Sequence, residues 1–305
     1  TARRPDAMKP RYLILLALMN CFWAGSYSVF KALSPELDAA SIVTLRYGVT
    51  GMVLLLCWPW LPGSMPRGRD LIRAVVMGIL VFGASPRLQV TGVQMGNATD
   101  ASVLMVFEPL IISIGAAFFL HEHIGMRRWT GFLLGLTGVV MMSEIWRPDF
   151  HWPGLASNAL IVMSYFCEAP SSIMAKPLVQ RAGLFKVLAV AIMAGTMVNL
   201  VLGGMPVIRA AGELSVRSWL LLAYLSLICT LAGYLLWFAV IRETQINAVA
   251  LTVFIQPVVG TAIAMVWLGE SLHWGQTWGC LVIVAGLMIG FSPQMRRANS
   301  KIPKI

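Results

Sequence analysis

The stretch FEPLIISIGAAFFLHEHIG, residues 107–125, falls without a gap on IQPVVGTAIAMVWLGESLH, residues 255–273, when the chain is shifted by 148. Pro109 meets Pro257, Leu120 meets Leu268 and Glu122 meets Glu270. Further on, Gly131 meets Gly279 and Gly138 meets Gly286. Apolar residues match by chance in a greasy chain, so the aligned Pro, Glu and Gly residues carry the signal. A shift of 145 sets AGSYSVFKAL (24–33) on APSSIMAKPL (169–178), pairing Ala24, Ser26, Lys31 and Leu33 with Ala169, Ser171, Lys176 and Leu178. The chain reads as two copies of one unit.

Composition says what the unit is. Hydrophobic residues make up 58% of the 305 and charged residues 12%, against about 45–50% and about 25% in soluble domains. A membrane-crossing helix needs about 20 apolar residues. Ten such windows follow one another: 12–30, 40–60, 71–90, 97–119, 128–146, 153–175, 185–207, 217–241, 246–268 and 275–292. They are continuously apolar rather than alternating, which argues for helices and against a membrane barrel. The first is too long and too polar, at Asn20 and Tyr27, for a cleaved signal peptide. The expected fold is an all-α integral membrane protein of ten transmembrane helices in two five-helix repeats. Tails at 1–11 and 293–305 flank repeats at 12–146 and 147–292. Five is odd, so the second copy enters the membrane inverted, and inverted repeats suit alternating access to a midplane site.

The net charge of +10 raises the question of nucleic acid, and its distribution answers it. Of the 23 Lys and Arg residues, only Lys31, Arg46, Arg87, Arg147, Arg209 and Arg217 fall in outer loops or outward half-spans if both termini are cytoplasmic. That is the positive-inside pattern, so the partner is a lipid bilayer and not nucleic acid. All five cysteines lie within the windows and form no CxxC; they read as small apolar residues, not disulfides or metal ligands. His121-Glu122-His123 invites a metal, but adjacent helical positions do not converge and no third ligand is evident. Glu122 reads instead as a structural or capping acid. No HExxH, GxSxG or Walker motif occurs, so no common enzyme class, ATP-driven pump or cofactor is indicated.

FWAGSYSVFKAL in the first window, EPLIISIGAAFFLHEHIG with its echo QPVVGTAIAMVWLGESLHWG, and the glycine-spaced fifth and tenth windows resemble the drug/metabolite transporter superfamily, in its EamA-type ten-helix branch. Within it the chain is most similar to bacterial aromatic amino-acid exporters. The resemblance implies a multi-pass protein of the bacterial inner (plasma) membrane, both termini cytoplasmic, exporting small metabolites. In the sixth window, SYFCEAPSSIMAK carries a Glu and a Pro that many relatives lack.

Helical spacing sorts the intramembrane polar residues onto faces. Asn20, Ala24, Tyr27 and Lys31 share one, with Trp23 beside it. Ser164, Glu168, Ser171 and Ala175 share another, as do Thr230, Tyr234 and Trp237, and Thr252 and Gln256. Polar faces in lipid turn toward the bundle or a wet cavity. They describe a cavity of aromatic rings and few charges, with Trp23, Tyr27, Arg87, Glu108, Ser164, Glu168, Tyr234, Trp237 and Gln256 as substrate-binding residues. The alternative for any Ser or Thr is interhelical packing. Arg87 or Arg46 is placed to receive a carboxylate, although Arg46 also reads as a side chain snorkelling to the outer interface. Glu108 and Gln256 each precede a proline, and Pro109 and Pro257 read as matched hinges or as static bends. The function expected is export of small amphipathic metabolites, such as aromatic or apolar amino acids. A membrane enzyme using Glu108 and Glu168, or a small-solute channel, is the alternative. The sequence does not select between monomer and homodimer.

Overall fold

The computed structural model describes residues 9–95, 104, 107–143, 146, 155–268 and 274–299. Among these there is no strand, and ten helical segments follow one another. The first five are α1 (Pro10–Leu33), α2 (Ala39–Leu56), α3 (Arg69–Met95), α4 (Phe107–Leu120) and α5 (Met126–Ser143). The sixth, α6, comes in three pieces: Leu155–Glu168, Pro170–Ile173 and Ala175–Arg181. Then come α7 (Leu184–Glu213) and α8 (Val216–Glu243). The ninth, α9, runs through Ile246–Ala250, Leu251–Phe254 and Ile255–Leu268, and α10 is Trp274–Asn299. Each lies on one of the ten apolar windows. Five are long and apolar enough to cross a membrane by length and composition alone: α1, α2, α3, the 184–203 part of α7, and α8. Phe118, Phe119, Val201 and Leu202 point away from the protein, as lipid-facing residues do.

Helix starts follow ordinary capping chemistry. Asp38 accepts from the Ser41 amide at 2.9 Å ahead of α2, and Ser215 from Ser218 ahead of α8; each satisfies an amide that has no partner within its helix. Pro10 opens α1, where its missing N–H costs nothing. Pro170 breaks α6 directly after Glu168 because it cannot donate to the carbonyl four residues back. The sequence suggests an unbroken span there; the helix steps twice instead.

The repeats are related by a pseudo-two-fold axis, seen best where α5 packs on α10. A Cβ at Gly131 would lie 3.0 Å from the Gly286 carbonyl, and one at Gly138 would lie 2.6 Å from the Gly279 carbonyl. Each glycine meets the repeat mate of the other. That self-complementary, antiparallel pairing is what a two-fold produces, and glycine is what lets the backbones touch. The same symmetry marks α3 and α8. Residues Ile79–Ala84 wind as a π-helix, and a shift of 148 carries them onto 227–232, inside the π-helical Tyr224–Ala232.

Contacts between loops sort the bundle into two ends. At one, Lys9 meets Glu243, Arg181 meets Asp70, Ser64 meets Ala182, Gln180 meets Arg242 and Lys176 meets Glu122. At the other, Glu36 meets Ser215 and Ser218, and Gln94 meets Ser34 and Leu37. The α2–α3, α4–α5, α6–α7 and α8–α9 connections share the basic end with the start of α1. This is the alternation that ten crossings require.

Candidate functional site

A cavity of about 50 Å³ lies between the two halves, lined by Trp23, Ser26, Arg46, Tyr47, Pro86, Gln89, Glu108, Glu168, Tyr234 and Gln256. Three pairs of its residues are repeat mates: Trp23 and Glu168 at a shift of 145, Glu108 and Gln256 at 148, and Pro86 and Tyr234 at 148. Both halves therefore present the same backbone positions to one space. The chemistry is not symmetric, since an acid opposes its amide and an indole opposes an acid.

Aromatic rings form one continuous wall. Trp23 lies 5.6 Å, centroid to centroid, from both Trp237 and Tyr234. Tyr234 meets Phe82 edge-on at 4.8 Å, and Phe82 meets Tyr47 at 5.7 Å. Such offset pairs add to what ring burial alone gives. Polar ends are tied off: Trp237 Nε1 donates to Ser172 Oγ at 2.9 Å, and Trp23 Nε1 to the Cys229 carbonyl at 2.7 Å.

Glu168 stands at the α6 break and is held from two sides. Its Oε2 accepts from Ser85 Oγ at 2.8 Å, and its Oε1 from the Tyr234 hydroxyl. Arg46 also acts on it electrostatically. Arg46 is only 7% exposed, and its Nε donates to Thr230 Oγ1 at 2.7 Å. Its guanidinium sits 5.2 Å from the Tyr47 ring centre, within cation–π range. Gln256 Nε2 donates to Asn20 Oδ1 at 2.7 Å, and Asn20 Nδ2 to Thr252 Oγ1 at 3.1 Å. Glu108 is half-buried and takes part in no hydrogen bond or ion pair among the described residues.

Five of the residues expected at the site thus share the cavity: Trp23, Glu108, Glu168, Tyr234 and Gln256. Trp237 backs Trp23 from behind. Ser164 is buried and donates to the Ile161 carbonyl of its own helix at 2.6 Å. Tyr27 belongs to α1, but its side chain lies outside the described residues. Arg87 is off the cavity lining. Its Nε donates to Asn199 Oδ1 at 2.8 Å and its Nη2 to the Asn199 carbonyl at 3.0 Å. Asn199 in turn donates to the Phe82 carbonyl at 2.8 Å, the acceptor that Pro86, four residues on, cannot serve. Of the two arginines offered as carboxylate receivers, Arg46 lines the cavity and Arg87 does not. Arg46 does not snorkel, because Thr230 and the rings hold it inward. The cavity also carries more charge than a sparsely charged aromatic site, with one cation and two acids. The repeat signals what was missed: Pro86 and Gln89 are 148 residues before Tyr234 and Trp237.

A larger hollow of about 470 Å³ opens at the basic end beside Ser64, Arg67, Asp70 and Arg181. It lies between surface loops and away from the aromatic wall. No group of three or more potential metal ligands forms among the described residues.

A family model described as the EamA-like transporter family matches this chain twice, over residues 11–144 and 155–291. The chain belongs to the EamA-like transporter family. The double match reproduces the internal duplication, and the family is one of transporters rather than enzymes. The chain is 23% identical to the uncharacterized transporter YdfC of Bacillus subtilis (strain 168), covering 90% of this chain and 89% of that one. It is 24% identical to a probable terminal-alkyne amino-acid exporter of Streptantibioticus cattleyicolor, covering 84% of each. It is 26% identical to a probable amino-acid metabolite efflux pump of Salmonella typhimurium, covering 65% of this chain and 69% of the pump. One crystal structure superposes with a TM-score of 0.73 over 95% of this chain and 99% of its own, at 15% identity. That likeness carries the fold alone.

Proposed function

We propose that this transporter exports small amphipathic metabolites bearing an amino group, apolar and aromatic amino acids foremost, by alternating access between its two halves. The observation that carries the reading is the cavity on the pseudo-two-fold axis, where an aromatic wall meets one guanidinium and two carboxylates. An aromatic amino acid has the complementary parts: a ring for Trp23 and Tyr234, a carboxylate for Arg46, an ammonium for the acids. At about 50 Å³ the cavity is far below the roughly 300–1,000 Å³ of small-molecule sites. Substrate entry therefore requires the halves to part, with Pro109 and Pro257 as hinges. The amino-acid exporters among the relatives support the substrate class. The excess of Lys and Arg at one end supports both termini in the cytoplasm of a bacterial inner membrane.

Counterflow in proteoliposomes tests this. Labelled Phe, Tyr, Trp and Leu should exchange faster than Asp, Lys or a nucleotide sugar. A nucleotide sugar brings about two negative charges, which call for several clustered cations, and the cavity offers one. Faster exchange of the nucleotide sugar would overturn the assignment.

A further inference from the structure

The two carboxylates of the cavity are not equivalent. Glu168 is fixed by Ser85 and Tyr234, and the Arg46 guanidinium acts on it. Glu108 has none of these. It lies in the same cavity, its side chain receives no hydrogen bond among the described residues, and the charge that acts on it is another carboxylate, Glu168. Of the groups that line the cavity with it, the charged or titratable ones are Arg46 and Tyr47 of α2, Glu168 of α6 and Tyr234 of α8. Helix α6 also carries Tyr165, in the buried cluster against which Ile111 of α4 packs, and Cys167 next to Glu168, while α1, α3 and α9 contribute uncharged lining groups. Counting charges, one cation faces two acids, so it can balance only one of them, and Glu168 is the one it acts on. An ionised Glu108 without a partner would be an uncompensated charge at membrane depth, which the bilayer penalises.

The geometry points to Glu108 as an exchange site that holds either a proton or the ammonium group of the substrate, which makes export a one-for-one antiport against protons. This rests on the amino-group substrate proposed above. In the empty cavity Glu108 is a neutral carboxylic acid. When the ammonium arrives, the O–H bond of Glu108 breaks, the proton leaves to water on the open side, and the carboxylate pairs with the ammonium. On the other side the steps reverse: a proton from water rejoins the Glu108 carboxylate and the substrate leaves with its ammonium group intact. Two like charges in one cavity cannot both be left bare, so the protein changes sides only with one or the other bound. The repeat mate of Glu108 is Gln256, which cannot ionise and is engaged by Asn20. The device is therefore single, and its stoichiometry is one.

Infrared spectroscopy of the ligand-free protein at neutral pH should show a protonated-carboxyl band that Glu108→Gln removes. Its absence from the wild type overturns the inference whatever transport shows. Adding phenethylamine or L-phenylalanine to wild-type protein in weakly buffered detergent should abolish that band and release one proton per molecule bound, read with a pH dye. Glu108→Gln should release none. In proteoliposomes an inward proton gradient should speed efflux of preloaded label in the wild type, less in Glu108→Asp, and not in Glu108→Gln. If the wild type exchanges amino acids by counterflow yet releases no proton on binding them, the antiport falls and the export reading stands. If no amine in the panel exchanges or binds, the export reading falls and the amine half of this proposal falls with it. The ligand-free band separates the two failures, because it reports the proton on Glu108 without any substrate.

Discussion

Trp23 reaches across the pseudo-two-fold to place its indole N–H 2.7 Å from the Cys229 carbonyl, and the absent side chain of Gly233 lets it. A Cβ built at Gly233 would lie 2.7 Å from that same indole nitrogen and 3.2 Å from the ring carbon beside it. The acceptor belongs to the π-helical turn of α8, whose carbonyls also take a hydrogen bond from Thr50. The first repeat thus reads the winding of the second.

Gly233→Ala should push the indole out of place and cost that hydrogen bond, about 0.5–1.5 kcal/mol net, or up to roughly a tenfold fall in amino-acid exchange. Trp23→Phe keeps a ring and drops the donor. In that background Gly233→Ala should lose most of its effect, so a double-mutant cycle in counterflow checks the contact. Full additivity of the two changes would show that Gly233 acts elsewhere.

Lys176 Nζ lies 2.5 Å from Glu122 Oε1, with the side chains 18% and 8% exposed. Glu122 also accepts from the Asn247 amide and side chain, and Lys176 donates to the Thr244 carbonyl. This clasp joins the halves at the basic end, and it gives Glu122 the capping role expected of it, on α9. Removing one member of a buried pair costs about 3–5 kcal/mol. Lys176→Met should therefore melt clearly below the wild type in detergent, and a cysteine at Ser171 should label faster from the basic end. The exchange Glu122→Lys with Lys176→Glu should recover part of the melting temperature. If Lys176→Met melts like the wild type, the clasp is not holding that end.

Arg46 and Arg87 should separate cleanly. Arg46→Gln removes the cation from the cavity and leaves Glu168 without it, so exchange should be lost and stability should fall. Adding Glu168→Gln should restore the stability and not the exchange. Arg87→Gln should lower stability through Asn199, with KM for the amino acid nearly unchanged. A raised KM in Arg87→Gln, with Arg46→Gln active, would return the carboxylate to Arg87.

The fold was legible because hydropathy and repeat are both periodic in the chain. A window of apolar residues has few alternatives to a helix in lipid, and Pro109 over Pro257 or Gly131 over Gly279 needs no coordinates to find. The site was half legible. Glu108, Glu168 and Gln256 announce themselves as polar groups at membrane depth. Arg46 read two ways, because a long cation within a span can snorkel or turn inward, and Thr230, 184 residues away, decides which. The π-helical turns were invisible: they come from Pro86 and from tertiary donors such as Asn199 and Trp23, not from any local pattern.

Glu36 lies in the loop after α1 and receives Ser218 Oγ at 2.8 Å, with Ser215 close by. Those hydrogen bonds, Ser218 first, hold its carboxyl below the usual carboxylate range. A depressed acid contributes stability above its unfolded value, and that contribution is lost as pH falls through the folded value. The wild type should therefore melt above Glu36→Gln at neutral pH, and the gap should close as the solution is acidified below about pH 4. The group is exposed, so the gap should be small. A gap that persists unchanged into acid would mean the carboxylate charge is not its source.

Pro257 follows the 3₁₀ turn Leu251–Phe254 within α9. Without an N–H it cannot donate to the Val253 carbonyl, and its ring crowds that group, so α winding is interrupted beside the cavity residue Gln256. Alanine at 257 supplies the donor and allows the turn to tighten into continuous α-helix. If the interruption is the hinge, Pro257→Ala should melt at or above the wild-type temperature while exchange slows several-fold. KM should stay within about twofold, a change worth roughly 0.4 kcal/mol by the factor-of-ten rule. Pro109→Ala should act in the same direction, since its position in the other repeat is equivalent. Both variants together should slow exchange more than either alone. Wild-type exchange in the double variant would make the prolines static bends and move the hinge to the π-helical turns of α3 and α8.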